Sequence, residues 1–205
     1  MLSGSLAVST KTFQCADGDT WDGTVESGIP ACAPLVLNDA PTGVADAYFA
    51  VGNHSLSIAS SIGLTENDTD PDADPLTADA ETKATTQGGT VTIAADGSFT
   101  YLSPAGFTGT DTFEYTVDDG TDTDTATATL QVDEVVYYVD DSFVGTPDGR
   151  EPSPFTTIGA ATGPAGTGET IFVHAGTYDE GVVLEDLQAL VGEGIASPVT
   201  LTFGA

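Results

Sequence analysis

The sequence predicts an all-β chain with an antiparallel β-sandwich at its centre, on three observations. Between Thr112 and Val117 apolar and polar residues alternate, with Phe113, Tyr115 and Val117 on one face and Thr112, Glu114 and Thr116 on the other. The same period of two runs from Thr125 to Val132, setting Ala126, Ala128, Leu130 and Val132 against Thr125, Thr127, Thr129 and Gln131. Asp96-Gly97 marks a tight hairpin turn between two shorter runs, Thr90–Ile93 and Ser98–Leu102. Adding Tyr48–Val51 and Leu56–Ala59 gives six or seven short, half-buried strands, enough for a sandwich of ordinary size. Phe99, Tyr101, Phe113 and Tyr115 fall on the alternating positions expected of its core.

Composition agrees. The 205 residues include 24 glycines, and 40% are apolar, which argues for a packed chain with tight turns and against disorder. Three basic residues face 32 acidic ones, a net charge of −29. Nucleic acid and anionic membrane would repel such a chain; cations and high-salt surroundings would not. No apolar run is long enough to span a bilayer, so membrane insertion is not expected. The opening MLSGSLAVST has neither a basic start nor a long apolar core, so it does not read as a signal peptide.

Pattern divides the chain into residues 1–35, 36–134 and 135–205. The first part holds both cysteines, Cys15 and Cys32, and the only tryptophan, Trp21. Two cysteines in an acidic, secreted-looking chain favour oxidation over metal chemistry. Within the middle part, Glu66 to Asp74 carry five acidic residues and Asn67 with no basic residue among them. Asn67, Asp68, Asp70, Asp72 and Asp74 offer carboxylate and amide oxygens of the kind calcium takes. The stretch is no EF-hand, lacking its glycine, its distal glutamate and flanking helices. The alternative reading is a solvated acidic loop. Asn38 and Asp39 ahead of Pro41 either add to a cation site or mark a turn, and Asp118-Asp119-Gly120 reads as a hairpin turn.

The run VLNDAPTG, then LTENDTDPDADPLT, then GGTVTIAADGSFTYLSPAGFTGTDTFEYTVDDG resembles the bacterial cadherin-like, Ig-type tandem repeat of large surface and adhesion proteins. That resemblance implies an extracellular spacer module, often calcium-stabilised, whose acidic pattern is N-D-x-D-x-D-G-D. Ala73 stands in the glycine position, which argues against a tight left-handed turn there. The third part, from Tyr137 through SPFTTIGAA and GETIFVHAGTY to VTLTF, resembles the opening of right-handed parallel β-helix proteins of the pectin-lyase-like type. Pro154, ahead of Phe155, Ile158, Ala160 and Ala161, predicts a short helix capping the coil, with the proline in its first turn. The first part resembles the second half of a sushi (complement-control-protein) module. In that family the corresponding cysteines pair with two others; the alternative is a Cys15–Cys32 disulfide. Both ends therefore read as breaking in mid-module, and the chain as a piece of a larger extracellular protein.

The expected function is non-catalytic: a spacer or assembly module at the cell surface or in a filament. Its partners would be neighbouring modules of the same or identical chains, in a homo-oligomer or filament, or glycans, and calcium is the expected cofactor. A glycan- or protein-binding adhesion module is the second reading, and a fragment of a carbohydrate-active β-helix enzyme the third. For the last, Asp140, Asp141, Arg150 and His174 are the candidate groups, but two or three rungs offer no groove for a sugar chain. His54 has no evident partner. Asn53-His54-Ser55 and Asn67-Asp68-Thr69 are sequons, so Asn53 and Asn67 are possible glycosylation sites.

Overall fold

Strict alternation needs a partner surface on one side only, and the computed structural model shows where that surface comes from. It describes residues 38–179, 181–184 and 188–192, together with the backbone pairing of Phe13–Gln14, Ala33–Pro34 and Thr200–Phe203. The chain divides into two compact units, Met1–Asp39 and Ala40–Ala205. In the first, β1 (Phe13–Gln14) pairs antiparallel with β2 (Ala33–Pro34). Cys15, Cys32 and Trp21 lie outside the described residues.

The second unit begins with a sandwich of two four-stranded sheets. One sheet joins β3 (Asp46–Gly52), β5 (Thr77–Ala78), β9 (Gly109–Asp118) and β10 (Thr123–Val139); the other runs β4 (Leu56–Ile58), β8 (Phe99–Leu102), β7 (Thr90–Ile93), β6 (Glu81–Ala84). All the expected strands form, and two short ones, β5 and β6, add to them. Gly97 takes φ +79° in the β7–β8 hairpin, the left-handed conformation that Asp-Gly supplies cheaply. The sandwich departs from a purely antiparallel one, because β3 pairs parallel with β10, from Asp46 opposite Ala128 to Gly52 opposite Val135. No hairpin joins these two strands, so the long path between them permits either direction.

The four expected core aromatics are all buried. Phe99 packs edge-on to Phe113 at 5.5 Å and to Tyr48 at 4.9 Å, so the aromatic contacts cross from one sheet to the other. One core position is a carboxylate. Asp111 is 0% exposed and accepts hydrogen bonds from the Tyr101 hydroxyl (2.9 Å), the Thr85 hydroxyl, Gln87 N and Thr112 N (both 2.8 Å). These donors belong to both sheets, so the carboxylate ties the sheets together without an opposing cation.

The 17-residue β10 does not stop where the sandwich stops. Its even-numbered side chains, Ala126 to Val132, fill the sandwich core. A β-bulge then shifts the register between Val132 and Glu134, and the odd-numbered Val135, Tyr137 and Val139 turn into a second core. Beyond the bulge β10 pairs parallel with β11 (Thr170–Val173), which pairs parallel with β13 (Ala189–Gly192). A second parallel pair joins β12 (Gly181–Leu184) to β14 (Thr200–Phe203). Thr170 lies opposite Ala189 and Gly181 opposite Thr200, so the steps from β11 to β13 and from β12 to β14 are both 19 residues (189 − 170 and 200 − 181), whereas the step from β10 to β11 is 34 (170 − 136). That is a parallel coil. The boundary that pattern places at 134/135 falls inside a continuous strand.

The expected cap is α1 (Ile158–Thr162), whose Ile158 and Ala161 close the second core. Its start is set by Thr157, which accepts from Ala160 N at 3.2 Å, whereas Pro154 lies four residues before the helix and is buried. Ala160 is exposed. Gln188 donates to the carbonyls of Thr162 and Ala165, satisfying acceptors that a helix end leaves open.

Asp111→Ala would strand four donors in the core and is expected to destabilise the chain by about 3 kcal/mol, read from denaturant unfolding. A loss below about 1 kcal/mol would show that the carboxylate is not the tie between the sheets.

Candidate functional site

The acidic loop lies at one end of the sandwich, and its anchor is a tyrosine from β9. Tyr115 follows the inward alternation of its strand, is 1% exposed, and carries its hydroxyl to the end of the core. That hydroxyl lies 2.8 Å from Asp46 Oδ2, 2.9 Å from Leu64 O, 3.1 Å from Val44 O and 3.3 Å from Asp68 Oδ1. One O–H proton serves one acceptor at a time, so oxygens outnumber the protons available. Asp68 gains a second donor from Val44 N at 2.6 Å.

Burial holds the Asp46 carboxyl above the usual carboxylate range, and the neighbouring Asp68 charge adds to the rise against the Tyr115 hydrogen bond. Burial likewise raises Asp68, although Val44 N and the Tyr115 hydroxyl favour its ionised form. Burial and the two carboxylates together hold the Tyr115 phenol well above its ordinary value, so it stays a donor. Asp124 differs: Gly43 N at 2.9 Å, and its own strand's amides, hold it below the usual range.

The rest of the loop folds on itself. Asp70 Oδ1 accepts from Asp72 N (2.8 Å) and Asp74 N (3.0 Å), while its Oδ2 is buried with no hydrogen-bond partner. Thr42 and Thr69 exchange backbone hydrogen bonds of 2.7 and 3.1 Å, stapling the loop to the strand entry. Ala73 sits at φ +64°, so the left-handed turn forms even without glycine. The contrary expectation is corrected: the Asp70 carboxylate bonding across the turn holds the strained backbone in place.

Five of the seven residues proposed for one cation lie on this loop, but they do not converge as one set. Asp68 turns inward to Asp46 and Tyr115, Asp70 braces its own turn, and Asp72 and Asp74 are exposed. Asn67 Nδ2 donates to Ala45 O at 3.3 Å. Asn38 and Asp39 belong to the other unit, where Asn38 Nδ2 approaches Asp39 O at 3.5 Å. Among the described residues, no three His, Cys, Asp or Glu side chains form a metal-holding group. Asp46 was not among the expected residues. Its even number, shared with Tyr48 and Ala50 on β3, is the signal that places it inward.

The remaining candidates are structural where they stand. Asn53 is corrected as a glycosylation site: it is 0% exposed, with Oδ1 accepting from Gly106 N at 2.8 Å, so a glycan on its amide has no room. Asn67 is exposed. Asp118 and Asp119 accept the amides of Gly120, Thr121 and Asp122 and shape the β9–β10 turn. Asp140 Oδ1 bonds Ser142 N and Oγ, and Asp141 Oδ2 bonds Thr177 N, so both carboxylates brace turns of the coil. Arg150 Nη2 lies 2.6 Å from Asp148 Oδ2. Burial pushes the Asp148 carboxyl up, but Arg150 and the Ser153 hydroxyl outweigh it and hold it below the usual range. His54 does have partners: its Nδ1 lies 2.7 Å from the Tyr138 hydroxyl and 3.2 Å from Glu151 Oε2. The ring of His174 packs edge-on to Phe172 at 5.1 Å.

Two outcomes test this geometry. Ala73→Gly removes the left-handed strain and is expected to stabilise the chain by about 0.5–1 kcal/mol in denaturant unfolding. A carboxyl whose pKa is raised by folding binds its proton more tightly in the folded state. Asp46 and Asp68 therefore contribute stability as pH falls through their raised folded values, complete below the unfolded value of about 3.9. The double variant Asp46→Asn/Asp68→Asn is expected to show a melting-temperature gain over the parent at pH 7 that shrinks as pH is lowered to about 4. A pH-independent difference would refute the assignment.

Among the described residues no helix is long and apolar enough to cross a membrane. No curated protein and no solved structure matches the chain at a significant level. The family model of the bacterial cadherin-like domain matches residues 38–134, a span that takes in the sandwich and the acidic loop but neither the first 37 residues nor the coil beyond Glu134. Over that span the chain is similar to the bacterial cadherin-like domain, and the matched residues include most of the two sheets joined through Asp111 and closed at one end by Tyr115.

Proposed function

We propose that this chain is a non-catalytic structural segment of an extracellular surface or adhesion protein, acting as a stiff spacer between neighbouring modules. The observation that carries the reading is the match of residues 38–134 to the bacterial cadherin-like domain, on a segment whose carboxylates are engaged in turns and sheet ties. A module that resists bending needs its loops braced, and carboxylate-to-amide bonds brace these.

Calcium belongs to the same proposal. The fit rests on the surplus of oxygens around Tyr115, on the raised Asp46 and Asp68 carboxyls, and on Asp70 Oδ2, buried without a donor. Asp46 and Asp68, with the backbone carbonyls of Val44 and Leu64 that gather at the same hydroxyl, supply hard oxygen donors of the kind a divalent cation takes. Bound there, it would offset the repulsion between Asp46 and Asp68.

Thermal unfolding of the full chain in millimolar calcium against EDTA tests the ion. The melting temperature is expected to rise with calcium, and Asp68→Asn to reduce the rise. Identical curves would remove calcium and leave the spacer. Binding in a glycan array would replace the spacer by the adhesion reading. Release of reducing ends from a polysaccharide would overturn the non-catalytic assignment.

A further inference from the structure

We infer that the β-sandwich is the folding template and the end cap of the parallel coil, so that the coil's first rung holds its structure only while the sandwich is folded. This goes beyond the spacer reading and stands whether or not calcium binds.

A parallel coil has an exposed strand edge and an open core at its first rung, and each must be covered. Here the first strand is not built anew. Val136–Val139 are the far end of β10, whose other end is locked between β9 and β3. They therefore reach β11 already extended and in register. The strand edge away from β11 is covered by the segment leading to the cap: Tyr138 N donates to Gly149 O (2.9 Å), Phe155 N to Tyr138 O (2.8 Å) and Asp140 N to Phe155 O (2.8 Å).

That covering segment is itself held by the sandwich. Glu151 N donates to Asn53 O at 2.8 Å, and Ser55 N donates to Glu151 Oε2 at 2.9 Å. Arg150 Nη1 reaches Ser103 O at 3.4 Å, and the Tyr138 hydroxyl meets His54 Nδ1 at 2.7 Å. The Asn53–Ser55 turn that receives them is fixed in turn by Asn53 N on Ser103 Oγ (3.0 Å) and by Gly106 N on Asn53 Oδ1. Packing at the joint leaves no slack: a Cβ on Gly52 would lie 2.7 Å from Phe107 O and 2.8 Å from Val135 Cγ2. The sandwich thus supplies both the strand on which the coil starts and the clamp on its cap.

Hydrogen exchange of the full chain, read by mass spectrometry in peptides from β9 and β11, tests the dependence. Leu130 belongs to the sandwich core and not to the coil's core, so Leu130→Ala perturbs the sandwich directly. It is expected to raise exchange in Thr112–Val117 and in Thr170–Val173 together, by roughly thirtyfold or more. Glu151→Ala removes the clamp's side-chain contacts, Oε2 to Ser55 N and to His54 Nδ1, and leaves the backbone bond of Glu151 N to Asn53 O in place. It is expected to raise exchange in Thr170–Val173 by about tenfold while leaving Thr112–Val117 unchanged. Should Leu130→Ala fail to fold, the clamp variant decides. Wild-type protection of Thr170–Val173 in either folded variant would overturn the proposal.

Discussion

A single extra residue in β10 is the constraint on which the second unit of this protein depends. Side chains of a strand alternate, so a continuous strand with one uninterrupted phase presents the same parity to one side along its whole length. From Ala126 to Val132 the even residues are buried; after the bulge at Asp133 the odd ones are. With the phase changed, the odd residues after Asp133 face the side that the even residues face before it, so one strand contributes to two successive cores. Without the change, Val135, Tyr137 and Val139 would face outward and Glu134 inward, and the coil would have no first layer.

The second organising feature is what happens to the negative charge. Many of the described carboxylates are used locally, accepting backbone amides two to four residues on: Asp70, Asp96, Asp118, Asp119, Asp140 and Asp148 all do so. Such turns order loops without long-range packing, which suits a chain made of short strands and many connections. Asp111 and the Asp46–Asp68 pair are of another kind. They are carried inward by strand parity or by loop closure, and hydroxyls and amides stand in for the cations that the sequence lacks.

These features bear on the proposed role. Rigidity between modules ordinarily depends on the linker, and a flexible connection uncouples its neighbours. Sandwich and coil have no linker between them: they share a strand, and a loop of one is hydrogen-bonded to a turn of the other. A shared strand of this kind suits the proposed spacer, because it carries orientation as well as separation from sandwich to coil. The acidic end, with its excess of oxygens over protons, lies at the opposite, entry side of the same sandwich, where Thr42 and Thr69 pair.

The amino-acid sequence by itself determined the elements. Period-two alternation located β3, β4 and β7 to β10 within a residue or two at most ends, Asp96-Gly97 determined a hairpin, and the core aromatics followed from the same count. The two-residue β5 and the polar β6, Glu-Thr-Lys-Ala, carry too little alternation to be seen. Even the inward aspartates were legible in principle, since Asp111 shares the parity of Phe113 and Asp46 that of Tyr48. Only the tertiary structure decided that β3 runs parallel to β10, that Asn53 is sealed from solvent, that the loop's carboxylates part company, and that one strand runs from sandwich into coil. The reason is physical. Alternation and turn chemistry act between residues a few positions apart and leave their mark on composition. A shift of phase inside a strand, by contrast, is enforced by the two cores it joins, and those exist only once residues some 30 to 80 positions apart have met.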